Sequence, residues 1–386
     1  MSEDPVLALA TMASWGPAFP RIARWTETGL RRIGAHADVV YIDRSPDGPG
    51  SDEPRAGGSG RVRRIELGAT HARTALPRLA RYLHDRRPST TVATPGTIGC
   101  IAMAAGVLSG ACVLPWEQTV PSLDRADVPR HLRLAAQACA ALYHRAPTVV
   151  AVSGGVRDAL VGPLPHRLDP ERVVVVPNPV DADEIVRLAG APVPRPVRMR
   201  LCAVGRLVSA KGFDVLVEAL ARADLGAAWE LVIVGDGPLR NGVEQAVARH
   251  RLGAQVRLVG HLANPYPLVA SADIVVQPSR WEGFGIAVLE ALALGRPVIA
   301  TSCPGGVAEI LGGGRFGVLV PPGDADALAG GLRRLADDRR LRELLAELGP
   351  GRAADFSPVR VAGQLVDLAR RGPHGAGRPP APAPVR

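Results

Sequence analysis

Residues 278–297 constrain the fold of this chain more than any other part of the sequence. They follow a short apolar run, residues 272–277, that is typical of a buried strand. After a Pro-Ser turn, glycines at positions 283 and 285 precede an apolar segment, residues 286–294, that predicts a helix. A strand, a glycine-containing turn and a helix in this order are typical of a parallel sheet covered by helices.

Two carboxylates in this stretch need a structural reason. Glu282 lies in the turn and Glu290 lies inside the apolar helix. A carboxylate among apolar side chains is costly unless it accepts hydrogen bonds. The free N–H groups at a helix N-terminus that follows a glycine turn attract an anion, usually a phosphate. We therefore predict a pocket for a phosphorylated ligand whose hydroxyl groups bind the two carboxylates.

The motif Glu282-Gly-Phe-Gly…Glu290 resembles the Glu-x7-Glu signature of retaining glycosyltransferases of family 4. The resemblance covers residues 145–350 well and the N-terminal half only loosely. It implies an α/β protein with the GT-B fold, in which two Rossmann-like domains with doubly wound parallel sheets face a central cleft. The other segments that carry it are residues 177–181, 204–212, 234–238, 260–265 and 294–300.

The domain limits follow from the pattern of strands and helices. At 386 residues the chain is long enough for two domains of ordinary size. We predict an acceptor-binding domain at residues 1–190 and a donor-binding domain at residues 197–355, separated by a proline-rich link. The resemblance implies that a last helix, residues 356–371, crosses back to the first domain. Residues 372–386 are rich in Pro, Gly and Ala and are predicted to be a disordered tail.

Composition excludes some partners. The net charge of +9 favours affinity for anions. The basic residues are dispersed arginines without interleaved aromatic residues or a helix-turn-helix pattern, so nucleic acid is not a predicted partner. Dispersed arginines leave open a peripheral contact with an anionic membrane. Lys211 is the single lysine, and its place inside residues 204–212 favours a point charge for a phosphate.

One uncharged segment, residues 88–116, approaches the length of a membrane span. Its prolines and glycines favour instead a buried strand, helix and strand. The N-terminus lacks a signal-peptide pattern, which predicts a cytoplasmic protein. The five cysteines lack metal-ligand spacing and are predicted to be small core residues in a reducing compartment. They are Cys100, Cys112, Cys139, Cys202 and Cys303.

Gly205, Arg206 and Lys211 follow a predicted strand and precede a predicted helix. Glycine lets the backbone approach a ligand, and two cations at this spacing can converge on one diphosphate. The alternative is an ordinary solvated turn. By resemblance, Arg206 and Lys211 bind the nucleotide diphosphate and stabilise it as leaving group without a metal. We therefore predict no cofactor and no obligatory metal, and we interpret Asp236 as a turn residue.

The resemblance implies further contacts with the donor. Glu290 would accept hydrogen bonds from ribose hydroxyls, and Glu282 would face the donor sugar. A first displacement by a protein carboxylate and a front-face displacement without one both remain open, and the second is the simpler scheme. The remaining donor contacts that it implies are Gly16, His261, Gly283, Phe284, Gly285 and Ile286.

Trp116 and Glu117 occur where family members often carry a histidine beside the donor sugar. Trp116 would either stack on a sugar in the acceptor site or pack between domains. Glu117 would orient the acceptor or act as a catalytic base. The residue types leave these alternatives open.

The predicted reaction is transfer of a hexosyl or N-acetylhexosaminyl group, with retention, from a nucleotide-diphosphate sugar to an acceptor hydroxyl. UDP is the first choice of nucleotide and GDP the second. The acceptor is a carbohydrate, a lipid-linked sugar or a small antibiotic-type metabolite. The alternatives are a catalytically impaired scaffold that binds sugar nucleotides, or an epimerase of the same fold. The oligomeric state is left open.

Overall fold

The structure, a computed structural model, describes residues 5–12, 18–43, 61–120, 142–162, 168–190, 193, 199–226 and 228–371. The chain divides into two compact units. The first extends to residue 179 and includes the chain from residue 357 onward, and the second comprises residues 180–356. The sequence also predicts a loop at residues 44–60, which are rich in Pro, Gly, Asp and Ser, and a helix at residues 129–144. This loop, most of this helix and the predicted tail at 372–386 lie outside the described residues.

The described elements alternate between strands and helices along most of the chain. In chain order the strands are β1 (Leu7–Thr11), β2 (Ala37–Tyr41), β3 (Val62–Glu66), β4 (Thr90–Ala93), β5 (Val113–Glu117), β6 (Val149–Ala151), β7 (Val173–Val175), β8 (Met199–Val204), β9 (Trp229–Val234), β10 (Val256–Gly260), β11 (Ile274–Gln277), β12 (Val298–Thr301) and β13 (Val318–Val320). The α-helices are α1 (Phe19–Arg32), α2 (Ala72–Arg86), α3 (Gly96–Ser109), α4 (Gly154–Val161), α5 (Ala182–Ala189), α6 (Phe213–Arg222), α7 (Arg240–Arg249), α8 (Tyr266–Ala270), α9 (Ile286–Ala293), α10 (Val307–Ile310), α11 (Ala325–Asp337), α12 (Arg339–Ala354) and α13 (Pro358–Arg371).

Each unit is built on a parallel sheet. In the first unit seven strands have the order β3-β2-β1-β4-β5-β6-β7. In the second unit six strands have the order β10-β9-β8-β11-β12-β13. The paired strands of both sheets run parallel. In each sheet the chain starts in the middle, builds one half and then returns to build the other, which is the doubly wound arrangement predicted from the sequence.

The central strands form because their residues are mostly apolar on both faces. The side chains of β1 from Leu7 to Ala10 are fully buried, as expected for a central strand of a parallel sheet. In the second unit Leu231 and Ile233 of β9 pack into the same core as Leu328 and Leu332 of α11. Burial of such aliphatic side chains is the main source of stability in a fold of this type.

Residues 180–190 differ from the predicted domain limit. The sequence assigned them to the first domain because the proline-rich link begins only at residue 191. In the structure they belong to the second unit. Helix α5 packs against α8, and the Asn264 side-chain amide donates a hydrogen bond to the Leu188 carbonyl over 2.8 Å. The proline-rich composition therefore marks the linker. It does not show that helix α5, which precedes the linker, belongs to the second unit.

The uncharged segment forms β4, α3 and β5, which confirms the predicted buried strand, helix and strand. Within the parts of the chain that the structure describes, no helix is both long and apolar enough to cross a membrane. The expectation of five reduced thiols is wrong for Cys100, which is disulfide-bonded. Cys112, Cys202 and Cys303 are free, and Cys139 lies outside the described residues.

Helix α13 packs closely against α1 within the first unit. The contact is close because Gly29 of α1 has no side chain. A Cβ atom at Gly29 would lie 2.0 Å from the Pro358 carbonyl oxygen and 2.9 Å from the Ala362 Cβ atom. Both distances are shorter than van der Waals contact, so any larger residue would push the two helices apart.

We predict that Gly29→Ala destabilises the first unit by about 1–3 kcal/mol, because the added methyl group collides with backbone atoms of α13. Gly363→Ala is the matched control, since Gly363 lies in α13 itself and a Cβ there would meet no atom within 4 Å. The control should be neutral or stabilising by up to about 1 kcal/mol, because alanine favours the helix. Urea denaturation of both variants checks this, and equal stability of the two would contradict the described packing.

Candidate functional site

The strand order of the second unit indicates where a ligand binds. The order reverses between the neighbouring strands β8 and β11. In open α/β sheets, ligands bind outside the carboxyl ends of the strands at such a switch point. The loops that follow these two strands are residues 205–212 and residues 278–285. They contain most of the donor contacts that the sequence predicted.

The two loops touch at a glycine. Gly212 has a φ of +62°, and a Cβ atom there would lie 2.1 Å from the Pro278 carbonyl oxygen. The backbone N–H of Arg280 also donates to the Ala210 carbonyl over 2.8 Å. Glycine is required at 212 both for the left-handed backbone and for the close approach. The contact holds Lys211, the preceding residue, beside the second loop.

Arg280 joins the same two loops through its side chain. Its guanidinium group binds the Asp214 carboxylate with two hydrogen bonds of 2.8 and 2.7 Å and also donates to the Ser209 carbonyl over 3.0 Å. The hydrogen bonds from Arg280 lower the pKa of the Asp214 carboxyl. Bidentate pairs of this kind restrict orientation strongly. The sequence pattern did not identify Arg280, because its partner Asp214 lies far away in the chain.

Lys211 and Glu282 form an ion pair between the loops. The Lys211 Nζ atom lies 2.5 Å from Glu282 Oε1. The same oxygen accepts hydrogen bonds from Gln277 Nε2 over 2.7 Å and from Ser279 Oγ over 2.8 Å. Among the described residues no donor reaches the other oxygen, Oε2. The Lys211 side chain is 25% exposed and the Glu282 side chain 10% exposed, so both can meet a ligand.

A third loop supports Glu282 from behind. Gly305, with a φ of +122°, lies so close that a Cβ atom would be 1.5 Å from the Glu282 carbonyl oxygen. The Glu282 N–H donates to the Pro304 carbonyl over 3.1 Å. Cys303 is buried nearby, and burial together with the Glu282 charge raises the pKa of its thiol to about 11. The thiol is therefore neutral near pH 7, and Cys303 is buried as expected for a small core residue.

Helix α9 begins at the end of the second loop. Gly285, with a φ of +100°, precedes it, and no side chain among the described residues caps the helix. The Val288 N–H donates to the Gly285 carbonyl over 2.9 Å, so among the described residues the N–H groups of Ile286 and Ala287 remain available to an anion. Phe284 is buried with its ring edge-on to Phe356 at 5.7 Å between centroids. This contact fixes the backbone of residues 283–286, where the sequence predicted donor contacts.

Glu290 lies on α9, with only 3% of the residue exposed. Its Oε1 atom accepts a hydrogen bond from the Tyr266 hydroxyl over 3.0 Å. This partner explains how a carboxylate is tolerated in an apolar helix. Binding of ribose by Glu290 stays a prediction.

The remaining predicted residues of the second unit lie at the same edge of the sheet. Arg206 is exposed, and its side chain makes no hydrogen bond or ion pair with any described residue. His261 follows β10 and is exposed. Asp236 accepts a hydrogen bond from the Gly237 N–H over 2.7 Å, which supports the turn interpretation. In the described part of the chain, no three His, Cys, Asp or Glu side chains are grouped to share a metal ion.

The first unit places Trp116 and Glu117 in its interior. The Trp116 ring is fully buried, and its Nε1–H donates to the Val176 carbonyl over 3.0 Å. Its ring is therefore occupied in packing, and a sugar cannot stack on it in this conformation. This placement supports packing, within the first unit itself, over the acceptor-site interpretation. Gly16, the predicted phosphate contact of this unit, lies outside the described residues.

The Glu117 carboxylate is saturated with hydrogen bonds. Oε1 accepts from the N–H groups of Gln118 and Thr119 and from the Thr119 hydroxyl, at 2.9, 3.0 and 2.9 Å. Oε2 accepts from the Tyr143 hydroxyl over 2.7 Å, and burial with the nearby Glu117 charge raises the pKa of that phenol. A carboxylate with this many donors stabilises the loop after β5 and is a poor general base. The structure therefore does not support the predicted catalytic role of Glu117.

A pair of amides beside Glu117 has unsatisfied hydrogen-bonding groups. Asn178 Nδ2 donates to Gln118 Oε1 over 2.8 Å, and both residues are more than nine-tenths buried. Among the described residues, Gln118 Nε2 and Asn178 Oδ1 have no hydrogen-bond partner. Whichever way the two amides are turned, one N–H₂ group and one carbonyl remain unpaired. Each such group costs about 1–3 kcal/mol, so in a native protein it calls for a functional explanation.

Known proteins match both halves of the chain. A family model described as "Glycosyl transferases group 1" matches residues 197–351. A second model, described as "Glycosyl transferase 4-like domain", matches residues 20–179. The matched segments correspond to the two structural units and together span most of the sequence. The chain belongs to the GT-B glycosyltransferases of family 4, as the motifs predicted.

Curated relatives align mainly with part of the chain. A 2-deoxystreptamine glucosyltransferase from Streptomyces kanamyceticus is 33% identical over 229 residues, covering 58% of this chain and 57% of the relative. An N-acetylgalactosamine-N,N'-diacetylbacillosaminyl-diphospho-undecaprenol 4-alpha-N-acetylgalactosaminyltransferase from Campylobacter jejuni is 28% identical over 221 residues, covering 57% and 59%. The chain spans about half the length of the curated relatives it matches.

Solved structures share the fold over nearly the whole chain. The crystal structure of Anabaena Alr3699/HepE in complex with UDP and glucose has a TM-score of 0.72 and 18% identity, covering 94% of this chain and 99% of that chain. At this level of identity the likeness concerns the fold alone. It confirms the predicted fold class.

We predict that Gly212→Ala destabilises the second unit more than Gly323→Ala does. Both glycines have a positive φ, but a Cβ at Gly323 would meet nothing within 4 Å. Both variants therefore incur backbone strain, and only Gly212→Ala also separates the two loops. The thermal unfolding midpoint of Gly212→Ala should be lower than that of the control by at least about 2 °C. Matching midpoints would show that the contact with Pro278 is not required.

Proposed function

We propose that this chain is a retaining, metal-independent glycosyltransferase that uses a nucleotide-diphosphate sugar, with UDP as the first choice of nucleotide. One observation carries the proposal. The Lys211 ammonium group, the open Oε2 atom of Glu282 and the uncapped N-terminus of α9 flank the switch point of the second sheet. A cation and free N–H groups bind a diphosphate, and an open carboxylate oxygen binds a sugar hydroxyl.

The diphosphate would bind between the two loops. Lys211 uses one N–H bond on Glu282, which leaves two for phosphate oxygens. Arg206 is exposed on the same loop and adds a second positive charge. As the bond between the sugar and the phosphate breaks, negative charge accumulates on the diphosphate. The Lys211 ammonium group, the Arg206 guanidinium group and a helix N-terminus stabilise that charge without a metal ion.

The geometry around Glu282 favours a hydrogen-bonding role over a covalent one. Its Oε1 atom already accepts hydrogen bonds from an ammonium group, an amide and a hydroxyl. These donors stabilise the carboxylate charge and reduce its nucleophilicity. In the simpler scheme, the acceptor oxygen forms its bond to the anomeric carbon on the face that the diphosphate leaves. The departing phosphate oxygen takes the acceptor proton, so the configuration is retained.

The acceptor would bind to the first unit. The unpaired groups of Gln118 and Asn178 lie at the carboxyl ends of β5 and β7, the edge of a parallel sheet where ligands bind. One donor and one acceptor group suit a hydroxyl or an amide. The two relatives are named for a glucosyl transfer to 2-deoxystreptamine and for a transfer to an undecaprenol-linked sugar. We propose a polyhydroxylated acceptor from one of these two classes, and a cytoplasmic location remains a prediction.

Calorimetric titration of UDP, GDP, ADP and uridine tests the donor site, with EDTA or Mg²⁺ present. We expect UDP to bind equally in both conditions and about 10- to 100-fold more weakly to Lys211→Met, because a charge-assisted hydrogen bond is lost. Uridine lacks phosphate and should bind both proteins alike. The control is Arg257→Met, which removes an exposed charge from β10. Strict dependence on Mg²⁺, or binding indifferent to Lys211, would contradict the proposal.

The amide pair is tested with the variant that carries Gln118→Leu and Asn178→Leu. Replacing both partners removes the unsatisfied groups, so the free energy of unfolding should be unchanged or higher. Turnover with the acceptor should fall while UDP affinity stays the same. A screen of aminocyclitols and of undecaprenol-linked sugars supplies the acceptor. Unchanged turnover in the stabilised variant would show that the amides have no part in acceptor binding.

A further inference from the structure

Two buried neutral residues hold the carboxylate of the ion pair. Gln277 is the last residue of β11 and is 3% exposed, and Ser279 is fully buried two residues later. Gln277 Nε2 donates to Ser279 Oγ and to Glu282 Oε1, each over 2.7 Å. Ser279 Oγ then donates to the same Glu282 oxygen over 2.8 Å. Their burial means that neither side chain can reach a ligand directly.

The network uses every available hydrogen atom. Both N–H bonds of the Gln277 amide and the O–H bond of Ser279 point toward acceptors, so the amide and hydroxyl orientations are determined. A flipped Gln277 amide would place its carbonyl against the carboxylate. Ser279 is itself held by the Thr301 hydroxyl, which donates to the Ser279 carbonyl over 2.5 Å. The three donors to Oε1 leave the carboxylate one orientation.

That orientation has two consequences at the ligand side. Oε1 is directed at Lys211 Nζ and holds the ammonium at one point, although a lysine side chain is otherwise flexible. Oε2 is left without a donor among the described residues and faces a ligand as a free acceptor. A diphosphate site with a fixed cation loses less entropy on binding than a site with a mobile one.

We propose that Gln277 and Ser279 are positioning residues for nucleotide-diphosphate binding, acting through Glu282 on Lys211. The inference rests on the proposed function, because it concerns the donor site. A purely structural role for the same network predicts a loss of stability and nothing more. The two roles therefore differ in whether the effect on binding depends on Lys211.

A double-mutant cycle on the full chain tests this. Ser279→Ala should weaken UDP binding about tenfold in the wild-type background, as expected for loss of one hydrogen bond to a charged group. In the Lys211→Met background the same substitution should weaken UDP binding less than about twofold, because the residue that it positions is absent. Gln277→Met is the second variant and should show the same coupling if Ser279→Ala does not fold.

Ser271→Ala is the matched control for stability. Ser271 is another buried serine of the second unit, and its hydroxyl accepts a hydrogen bond from Arg200 over 2.6 Å, away from the switch point. The Ser271→Ala variant should lower the unfolding midpoint as Ser279→Ala does. Its UDP affinity and its KM for the donor should remain those of the wild type.

The outcomes separate this inference from the proposed function. Wild-type protein that binds no nucleotide would overturn both. If the wild type binds UDP normally, two results would overturn the positioning role alone. Either Ser279→Ala has no effect on UDP affinity, or its effect is equally large in the Lys211→Met background.

Discussion

The ion pair between Lys211 and Glu282 joins two loops that follow different strands of the second sheet, and the geometry of the candidate donor site depends on it. The loops meet only because Gly212 has no side chain against the Pro278 carbonyl. Arg280 and Asp214 hold the loops together beside it. A partly buried ion pair is stabilising only when further hydrogen bonds satisfy its remaining groups. Gln277 and Ser279 supply two of them.

The two units use carboxylates in different ways. In the second unit one oxygen of Glu282 accepts no hydrogen bond from any described residue, and the surrounding backbone brings cations and N–H groups to the same edge of the sheet. In the first unit both oxygens of Glu117 are engaged, so that this carboxylate stabilises its own loop. Beside Glu117, Gln118 and Asn178 each have one buried group without a partner among the described residues. Hydrogen-bond saturation, more than residue type, separates carboxylates that can act on a ligand from those that support the fold.

Sequence reasoning succeeded where local pattern and physical cause coincide. Mainly apolar runs predicted the strands, and glycine turns before apolar helices predicted the parallel architecture, which the solved structures of the same fold confirm. It failed, or left alternatives open, where the answer depended on a distant partner. For Trp116 a sugar contact and packing both stayed open, because nothing nearby in sequence shows that Val176 accepts its hydrogen bond. Cys100 was predicted to be a free thiol, and residues 180–190 were assigned to the first domain. Both predictions are wrong for the same reason.

By itself the sequence determined the family, the doubly wound sheets and the segments that lie at their carboxyl ends. These properties follow from the periodicity of apolar residues and from glycines whose backbone angles other residues rarely adopt. The tertiary structure alone decided that Gln277 and Ser279 donate hydrogen bonds to Oε1 of Glu282, and that no described residue donates to Oε2. It also decided that the first unit buries Trp116. Hydrogen bonds are short and directional, so their partners are known only after the chain has brought distant residues together.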